Sequence, residues 1–293
     1  MFKKKNKNDY VSAPEGSIKD LTQSLIRNKR ALFGLGFILF LILIAVFADQ
    51  IAPFTMTEQN LANALQKPGG AHLFGTDELG RDVFSRVVYG SRVSLIIGVS
   101  SVTIALVIGG FMGLVAGYYG GKIDGFIMRF TDVLLSIPSI LLAIAIVASL
   151  GSSMNNLILA IGIGMIPSYA RITRSAVMTV REKQYIEAAH ALGGSDFKIM
   201  VRHIVPNILS PLIVQSSMGI ASGILSAAGL GFIGLGIETS VAEWGTMLNY
   251  GRKFMRTHSY LTIFPGVAIM LTILSFNLLG DGIRDALDPK LRD

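Results

Sequence analysis

Long apolar runs without a single charged residue dominate this sequence. The first run covers residues 31–48, and thirteen of the sixteen residues in 32–47 are Leu, Ile, Val or Phe. At about −0.4 kcal/mol for each such residue, this run favours membrane insertion by roughly 5 kcal/mol. Only 15% of the 293 residues are charged, against about 25% in soluble domains. The sequence therefore predicts an all-α membrane protein.

Six apolar runs approach the length that a bilayer requires, which is about 20 residues for each spanning helix. The fourth and fifth runs give the weakest signal because Gly, Ser and Pro dilute them. We therefore predict six transmembrane helices, at residues 31–48, 93–117, 133–150, 157–169, 212–230 and 260–279.

Lys and Arg residues are unevenly distributed between the segments that connect the spans. If the amino terminus is cytoplasmic, the inner segments hold 19 of the 26 basic residues and the outer segments hold 7. An excess of positive charge on the inner side predicts that both termini are cytoplasmic. We expect three regions. These are a cytoplasmic leader, first span and external loop in 1–92, a five-helix core in 93–281, and a cytoplasmic tail in 282–293.

The six predicted spans contain no Asp, Glu, Lys, Arg or His. Carriers that bind coupling ions or relay protons usually place ionisable groups inside the membrane. The lack of such groups argues against a carrier that works alone, and it indicates that energy for transport comes from outside the bilayer. An ion-coupled carrier and a membrane scaffold are the alternatives from other classes.

No pattern in the sequence indicates an active site or a bound cofactor. The chain has no Cys, and its four His residues lack metal-ligand spacing. Gly229, Gly231 and Gly234 form G-x-G-x-x-G, but no strand precedes them, so we predict close packing or a bend. The net charge of +7 is spread between apolar segments rather than over one basic face. We predict no catalytic residue, cofactor, metal site, ATP site or nucleic-acid partner in this chain.

Small and weakly polar residues are concentrated in three of the spans. Gly109, Gly113 and Gly117 repeat at four-residue spacing, which is typical of close helix packing. Polar residues and Pro138 interrupt the apolar run of the third span, and polar residues also interrupt that of the fifth span. They could line a solute pathway or could hydrogen-bond to neighbouring helices. These candidate pathway residues are Ser136, Ser139, Gln215, Ser216 and Ser217.

Residues 181–207, between the fourth and fifth spans, form the longest predicted cytoplasmic loop. Good helix formers extend to Leu192, and Gly193 and Gly194 then suit the end of a helix. Ser195 can cap a second helix. Two short helices at an angle would form a rigid protrusion on the inner face.

The second predicted loop helix carries an apolar stripe. Pro206 is expected to end this helix, and Pro211 is expected to stand in the first turn of the fifth span. Another protein could approach the first loop helix closely at the small Ala188 and Ala189, or the loop could be an amphipathic element that rests on lipid headgroups. The members of the stripe, at helical spacing, are Phe197, Met200, Val201 and Ile204.

Part of this loop resembles the EAA loop of binding-protein-dependent ATP-binding-cassette importers, whose pattern is E-A-A-x3-G-x9-I-x-L-P. The chain departs from the pattern only at two packing positions, with His for Ile and Val for Leu. The matching residues are Glu187-Ala188-Ala189, then Gly193 after three residues, then His203-Ile204-Val205-Pro206 after nine more.

Two further stretches are similar to C-type permeases of the dipeptide, oligopeptide and nickel branch of this family. The first reads HLFGTDELGRD from His72, followed by Ser85-Arg86 and Tyr89-Gly90. The second reads GDGIRD from Gly280, followed by Leu287-Asp288-Pro289. With the six-span layout, the resemblance covers nearly the whole chain from Ala31.

The resemblance implies a type I importer permease, multi-pass in the bacterial inner (cytoplasmic) membrane. The implied partners, besides membrane lipid, are a homologous permease, two cytoplasmic ATPase subunits that bind ATP and Mg, and an external solute-binding protein. The implied substrates are dipeptides or oligopeptides, with nickel or a metal chelate as the alternative. We expect segment 72–92 to shape an external gate or docking surface. The residues implied to couple the permease to the ATPase are Glu187, Ala188, Ala189, Gly193 and Pro206.

Overall fold

The computed structural model describes residues 28–287, so most of the predicted leader and the end of the predicted tail lie outside the described residues. Within this range the chain is helical, with two isolated bridges and no strand. The α-helices are α1 (Lys29–Val46), α2 (Ala48–Ile51), α3 (Val83–Tyr119), α4 (Gly121–Ser136), α5 (Ser139–Leu150), α6 (Met154–Arg181), α7 (Gln184–Ala191), α8 (Asp196–Ile199), α9 (Val205–Phe232), α10 (Trp244–Gly251) and α11 (Tyr260–Leu287).

Five helical segments of the described chain are long and apolar enough to cross a membrane, and the bent pair α4–α5 gives a sixth span if it is counted as one. The predicted six-span architecture is confirmed in this sense. Helix α3 is longer than predicted, because it has 37 residues and already begins at Val83. At 1.5 Å per residue it is about 55 Å long. It therefore extends well beyond a hydrocarbon core of about 30 Å.

The third predicted span is two helices rather than one. Helix α4 ends at Ser136, α5 begins at Ser139, and their axes differ in direction by 82°. The backbone of Ile137 is extended, as expected for a residue that precedes proline. The predicted interruption near Pro138 is confirmed, but the prediction of a single helix over 133–150 is wrong.

Pro206 and Pro211 both lie inside one continuous helical segment. Helix α8, a π-helical turn at Met200–Ile204 and helix α9 follow one another without a break. The prediction that Pro206 ends the second loop helix is therefore wrong. The N–H of Val205 donates to the carbonyl of Met200, five residues back. This wider turn accommodates Pro206, which has no N–H to donate.

Helices α3 and α6 form the most extensive helix pair of the bundle. A Cβ atom on Gly109 would lie 2.5 Å from the carbonyl oxygen of Ile166, and one on Gly117 would lie 2.8 Å from the Cβ of Val177. The backbones can approach this closely only because the glycines have no side chain. The predicted packing role of the glycine repeat is confirmed.

Residues 52–82 and 233–259 pack together at the amino end of α3, and we call them the polar lobe. The Arg86 side chain, which is 3% exposed, joins the two parts of the lobe. Its guanidinium donates to the carbonyl of Met56 at 2.7 Å and to that of Thr239 at 3.2 Å. These bonds fix the first turn of α3 to both parts of the polar lobe.

Candidate coupling loop and transmembrane cleft

The loop between the fourth and fifth spans contains the two predicted helices, α7 and α8, joined by a glycine turn. The N–H of Gly193 donates to the carbonyl of His190 at 2.9 Å, and the N–H of Gly194 donates to that of Ala189 at 3.0 Å. Gly193 has a φ of +77°, which L side chains rarely adopt. A Cβ atom there would meet nothing within 4 Å. The turn therefore needs glycine for its backbone conformation rather than for space.

The loop is held to the bundle by buried isoleucines. Ile186, Ile199 and Ile204 are each at most 1% exposed. The predicted stripe is therefore only partly correct, because Ile204 is buried whereas Phe197 and Val201 are 73% and 49% exposed. The π-helical turn adds one residue between Ile199 and Ile204. The buried positions are consequently five residues apart instead of four.

Several residues of the loop are freely accessible on its outer surface. Glu187 in the first turn of α7 and the neighbouring Ala188 are exposed, Ala189 is half-buried and Pro206 is exposed. Leu192 is 89% exposed, and sequence reasoning missed it. Its signal was present, since an apolar side chain stands directly before the glycine pair.

Helices α5, α6 and α9 surround a cleft of about 390 Å³. Among the predicted pathway residues, Ser139 at the start of α5 and Gln215 on α9 line it. The described residues around the cleft are apolar or weakly polar, and none of them is Asp, Glu, Lys, Arg or His. Further polar groups at its wall, absent from the sequence prediction, are Ser168, Tyr169, Ser222 and Ser226.

The other three predicted pathway residues do not line this cleft. The Ser136 hydroxyl donates to the carbonyl of Val133 on the exposed side of α4. Ser216 keeps its hydroxyl in the protein interior. Ser217 is 8% exposed and packs toward α11, where a Cβ on Gly280 would lie 2.7 Å from its hydroxyl oxygen. Helix α9 is continuous through residues 215–217.

Sequence spacing could have identified part of the missed wall. Ser222 and Ser226 follow Gln215 by seven and eleven residues, which places all three on one face of a helix. No comparable signal was available for Ser168 on α6. Its place in the wall depends on how α6 packs against α5 and α9.

Two ion pairs fasten α4 to α6. The guanidinium of Arg174 forms two hydrogen bonds with the Asp124 carboxylate, one of them at 2.6 Å. Arg171 contacts Asp132 at 2.6 Å. Because α4 lies between a glycine turn at Gly120, with a φ of +66°, and the bend before α5, these pairs set its position.

Glu243 is the most deeply buried acid of the polar lobe and caps α10. Its carboxylate accepts the backbone N–H groups of Gly245 at 2.8 Å and Thr246 at 2.7 Å. Burial raises the pKa of Glu243 above its ordinary value, although these hydrogen bonds oppose the rise. A Cβ atom on Gly231 would lie 2.7 Å from this carboxylate. Gly231 therefore serves close packing and Gly234, with a φ of +89°, lies in a turn, which agrees with the prediction, whereas a Cβ atom on Gly229 would meet nothing within 4 Å.

No group of three or more His, Asp or Glu side chains within residues 28–287 could hold a metal ion. His72 contacts Asp82 at 2.9 Å, and both side chains are buried. Asp82 also accepts the backbone N–H of Ser85 at 2.7 Å and so caps α3. The pair stabilises the junction between the polar lobe and α3.

Residues 105–293 match the family described as binding-protein-dependent transport system inner membrane component. The chain belongs to this family. Residues 18–68 also match the N-terminal transmembrane domain of oligopeptide transport permease C. This membership places the chain in the bacterial inner membrane as a multi-pass, permease-type component of a transport system.

Curated relatives cover almost the whole chain. The dipeptide transport system permease protein of Alkalihalophilus pseudofirmus is 48% identical over 274 residues, which are 94% of this chain and 90% of the relative. The di/tripeptide transport system permease protein of Pseudomonas aeruginosa is 44% identical over 94% of this chain and 93% of its own. A glutathione transport system permease protein of Pectobacterium atrosepticum is 46% identical over 87% and 85%.

Solved structures share the fold at low sequence identity. A chain of the MetNI methionine ABC transporter is similar with a TM-score of 0.56 and 19% identity, over 69% of this chain and 96% of that one. A chain of an amino acid ABC transporter gives a TM-score of 0.52 and 16% identity, over 68% and 92%. The predicted importer-permease architecture is confirmed, while the cytoplasmic location of the termini stays a prediction.

Proposed function

We propose that this chain is one permease subunit of an ATP-driven importer that carries dipeptides or short oligopeptides across the inner membrane. The observation that carries the proposal is the near full-length similarity to permeases of dipeptide and di/tripeptide transport systems. The glutathione permease also belongs to a system for a small peptide. Nickel or a metal chelate is not favoured as the substrate, because these relatives are named for peptides.

The loop formed by α7 and α8 is the part of the chain best suited to receive force from a separate ATPase. Ile186 and Ile199 fix it to the bundle, whereas Leu192 and Phe197 expose apolar surface that could enter a partner's groove. In this proposal Glu187, Ala188, Ala189, Gly193 and Pro206 lie at or beside the ATPase contact. ATP and Mg are bound by two ATPase subunits, so this chain is the translocation subunit and not the enzyme.

The cleft lined by Ser139 and Gln215 is proposed as this chain's half of the solute pathway, facing a homologous partner permease. A peptide carries N–H and C=O groups that hydroxyl and amide side chains can satisfy one after another. The described cleft wall carries no Asp, Glu, Lys, Arg or His, so it offers no carboxylate or imidazole to bind a proton or a coupling ion. The energy source is therefore proposed to be ATP hydrolysis rather than an ion gradient.

The polar lobe is proposed to face outwards and to meet a solute-binding protein. The distribution of basic residues supports this orientation, since an excess of positive charge favours a cytoplasmic side for α7, α8 and both termini. Arg86 and the His72–Asp82 pair hold segment 72–92 rigidly against the rest of the lobe. A rigid lobe suits a docking surface, because it loses little conformational entropy when a partner binds.

Reconstitution of the whole transport system tests this proposal. Vesicles containing this chain, its partner permease and both ATPases should take up a labelled dipeptide only with ATP and the binding protein. Glu187→Lys should abolish uptake while the protein still inserts into the membrane. Uptake that persists without the ATPases, or that follows an imposed ion gradient, would contradict the proposal.

A further inference from the structure

The end of α3 lies directly against the loop formed by α7 and α8, which we call the coupling loop. Tyr118, the next-to-last residue of α3, is 6% exposed and belongs to the apolar cluster that receives Ile186 of α7 and Ile199 of α8. Its ring therefore contacts the same interior that both loop helices use for attachment. Packing of the ring therefore holds this side chain in place independently of any hydrogen bond of its hydroxyl.

The hydroxyl of Tyr118 reaches both loop helices. It donates to Oδ1 of Asp196, in the first turn of α8, at 2.8 Å. It also lies 3.4 Å from Nε2 of His190, in the last turn of α7. The rings of Tyr118 and His190 are stacked at 6.1 Å with an angle of 24°. One side chain thus spans the Gly193–Gly194 turn from outside the loop.

The turn itself does not set the orientation of the loop relative to the membrane helices. Its hydrogen bonds, from Gly193 to His190 and from Gly194 to Ala189, join α7 to the turn and stay within the loop. The bond between Tyr118 and Asp196 joins residues 78 positions apart. It therefore restrains α8 relative to α3 rather than relative to its own neighbours.

The opposite end of α3 is fixed just as firmly. Asp82 caps its first turn, and Arg86 donates to the carbonyls of Met56 and Thr239 in the polar lobe. The helix contains no proline and is continuous over 37 residues. A single rigid element of about 55 Å thus connects the polar lobe with the coupling loop.

We propose that Tyr118 is a positioning residue that holds the coupling loop at a fixed orientation to α3, so that movement of the loop also moves the polar lobe. This rests on the proposed function, in which the loop docks on an ATPase. A loop that shifts without α3 must first break the Tyr118–Asp196 hydrogen bond and separate the stacked His190 ring. With the bond intact, ATP-driven movement reaches the far end of α3 instead of being lost in the loop.

The test uses the complete complex in vesicles and measures peptide taken up per ATP hydrolysed. Tyr118→Phe keeps the ring and its stacking but removes the hydroxyl. We expect normal amounts of bound ATPase, and about a fivefold fall in uptake per ATP, the effect of one lost hydrogen bond. Tyr119→Phe is the matched control, because Tyr119 is 45% exposed and its hydroxyl has no described role in the loop. It should behave as the wild type.

Variants of Asp196 distinguish loss of the Tyr118–Asp196 hydrogen bond from a general defect in folding or assembly. Asp196→Ala should give the same fall as Tyr118→Phe, and the double variant should fall no further. Asp196→Asn retains an acceptor oxygen and should recover most of the coupling. If Tyr118→Phe assembles poorly, Asp196→Ala gives the same measurement, because Asp196 is exposed.

Failure of this proposal can be told apart from failure of the proposed function. If the wild-type complex couples uptake to ATP and Tyr118→Phe couples equally well, Tyr118 is not a positioning residue. Additive losses in the double variant would also overturn the proposal, since the two residues would then act separately. If the wild-type complex itself shows no ATP-dependent uptake, the proposed function is wrong.

Discussion

Nη2 of Arg171 on α6 lies 2.6 Å from Oδ1 of Asp132 on α4, yet both side chains are more than half exposed. Three residues further along α6, Arg174 pairs with Asp124, and these side chains are only 30% and 19% exposed. Two ion pairs between the same two helices therefore differ mainly in how well water screens them. We therefore expect the less exposed pair to contribute more to the free energy of unfolding.

Asp124→Asn should destabilise the protein by about 1–2 kcal/mol, because it breaks a charge-assisted, two-bond pair that is partly shielded from water. Asp132→Asn, the matched control, should cost at most about 0.5 kcal/mol, as for other exposed ion pairs. Thermal unfolding of the purified variants in detergent measures both. Equal losses at the two positions would contradict this account of α4.

Gly193→Ala should reduce ATP-dependent uptake, because alanine at a φ of +77° costs about 1–2 kcal/mol although there is space for its methyl group. Gly193→Asn should retain more activity, since asparagine tolerates this conformation better. The control is Gly36→Ala in α1, where nothing lies within 4 Å and φ is not positive. Uptake assays of the three variants at matched expression decide the matter. Full activity of Gly193→Ala would show that the turn can change its conformation freely.

Leu192→Ser should weaken association with the ATPase subunits by at least about tenfold, because a leucine buried at an interface contributes about 1.5–3 kcal/mol. Leu61→Ser is a suitable control, since Leu61 is 69% exposed but lies on the polar lobe, away from the coupling loop. Co-purification of the ATPase with each variant is the measurement. Equal retention of the ATPase by Leu192→Ser and wild type would place the contact elsewhere.

Gln215→Leu should raise the KM for peptide uptake about fivefold through loss of a hydrogen-bonding group in the cleft. Ser217→Ala should leave KM within about twofold, because its hydroxyl bonds to Val214 of its own helix and does not line the cleft. Concentration series of uptake in vesicles give both values. The pathway assignment fails if the Ser217 variant is affected and the Gln215 variant is not.

Glu243 should make the stability of the polar lobe depend on pH. Since burial raises the pKa of its carboxyl above the ordinary value of 4.5, the folded protein holds a proton where the unfolded chain has lost it. The free energy of unfolding should therefore fall as the pH rises from the ordinary pKa through the raised one. As the pH is raised from the ordinary pKa, unfolding midpoints should drop for wild type relative to Glu243→Gln, which does not titrate. Parallel profiles would exclude the effect.

Sequence alone predicted the membrane class, the six apolar segments, close helix packing at Gly109, Gly113 and Gly117, and the two-helix loop around Gly193. These features depend on local composition and spacing, because membrane insertion responds to apolar length and a glycine turn responds to backbone preference. The resemblance in the EAA segment added the family, which the match of residues 105–293 confirmed. The division into regions at 92/93 and the orientation of the termini stay predictions.

Only the tertiary structure showed which side chains face the cleft and which pack against other helices. Pro206 looked like a helix end until the π-helical turn beside it showed how a proline fits inside a continuous helix. Ser217 and Gln215 are nearly adjacent and similarly polar, yet one packs toward α11 and the other lines the cleft. The contact of Tyr118 with Asp196 joins positions too far apart for any local pattern to reveal. Such pairings are set by how helices pack, and packing depends on side chains from distant parts of the chain acting together.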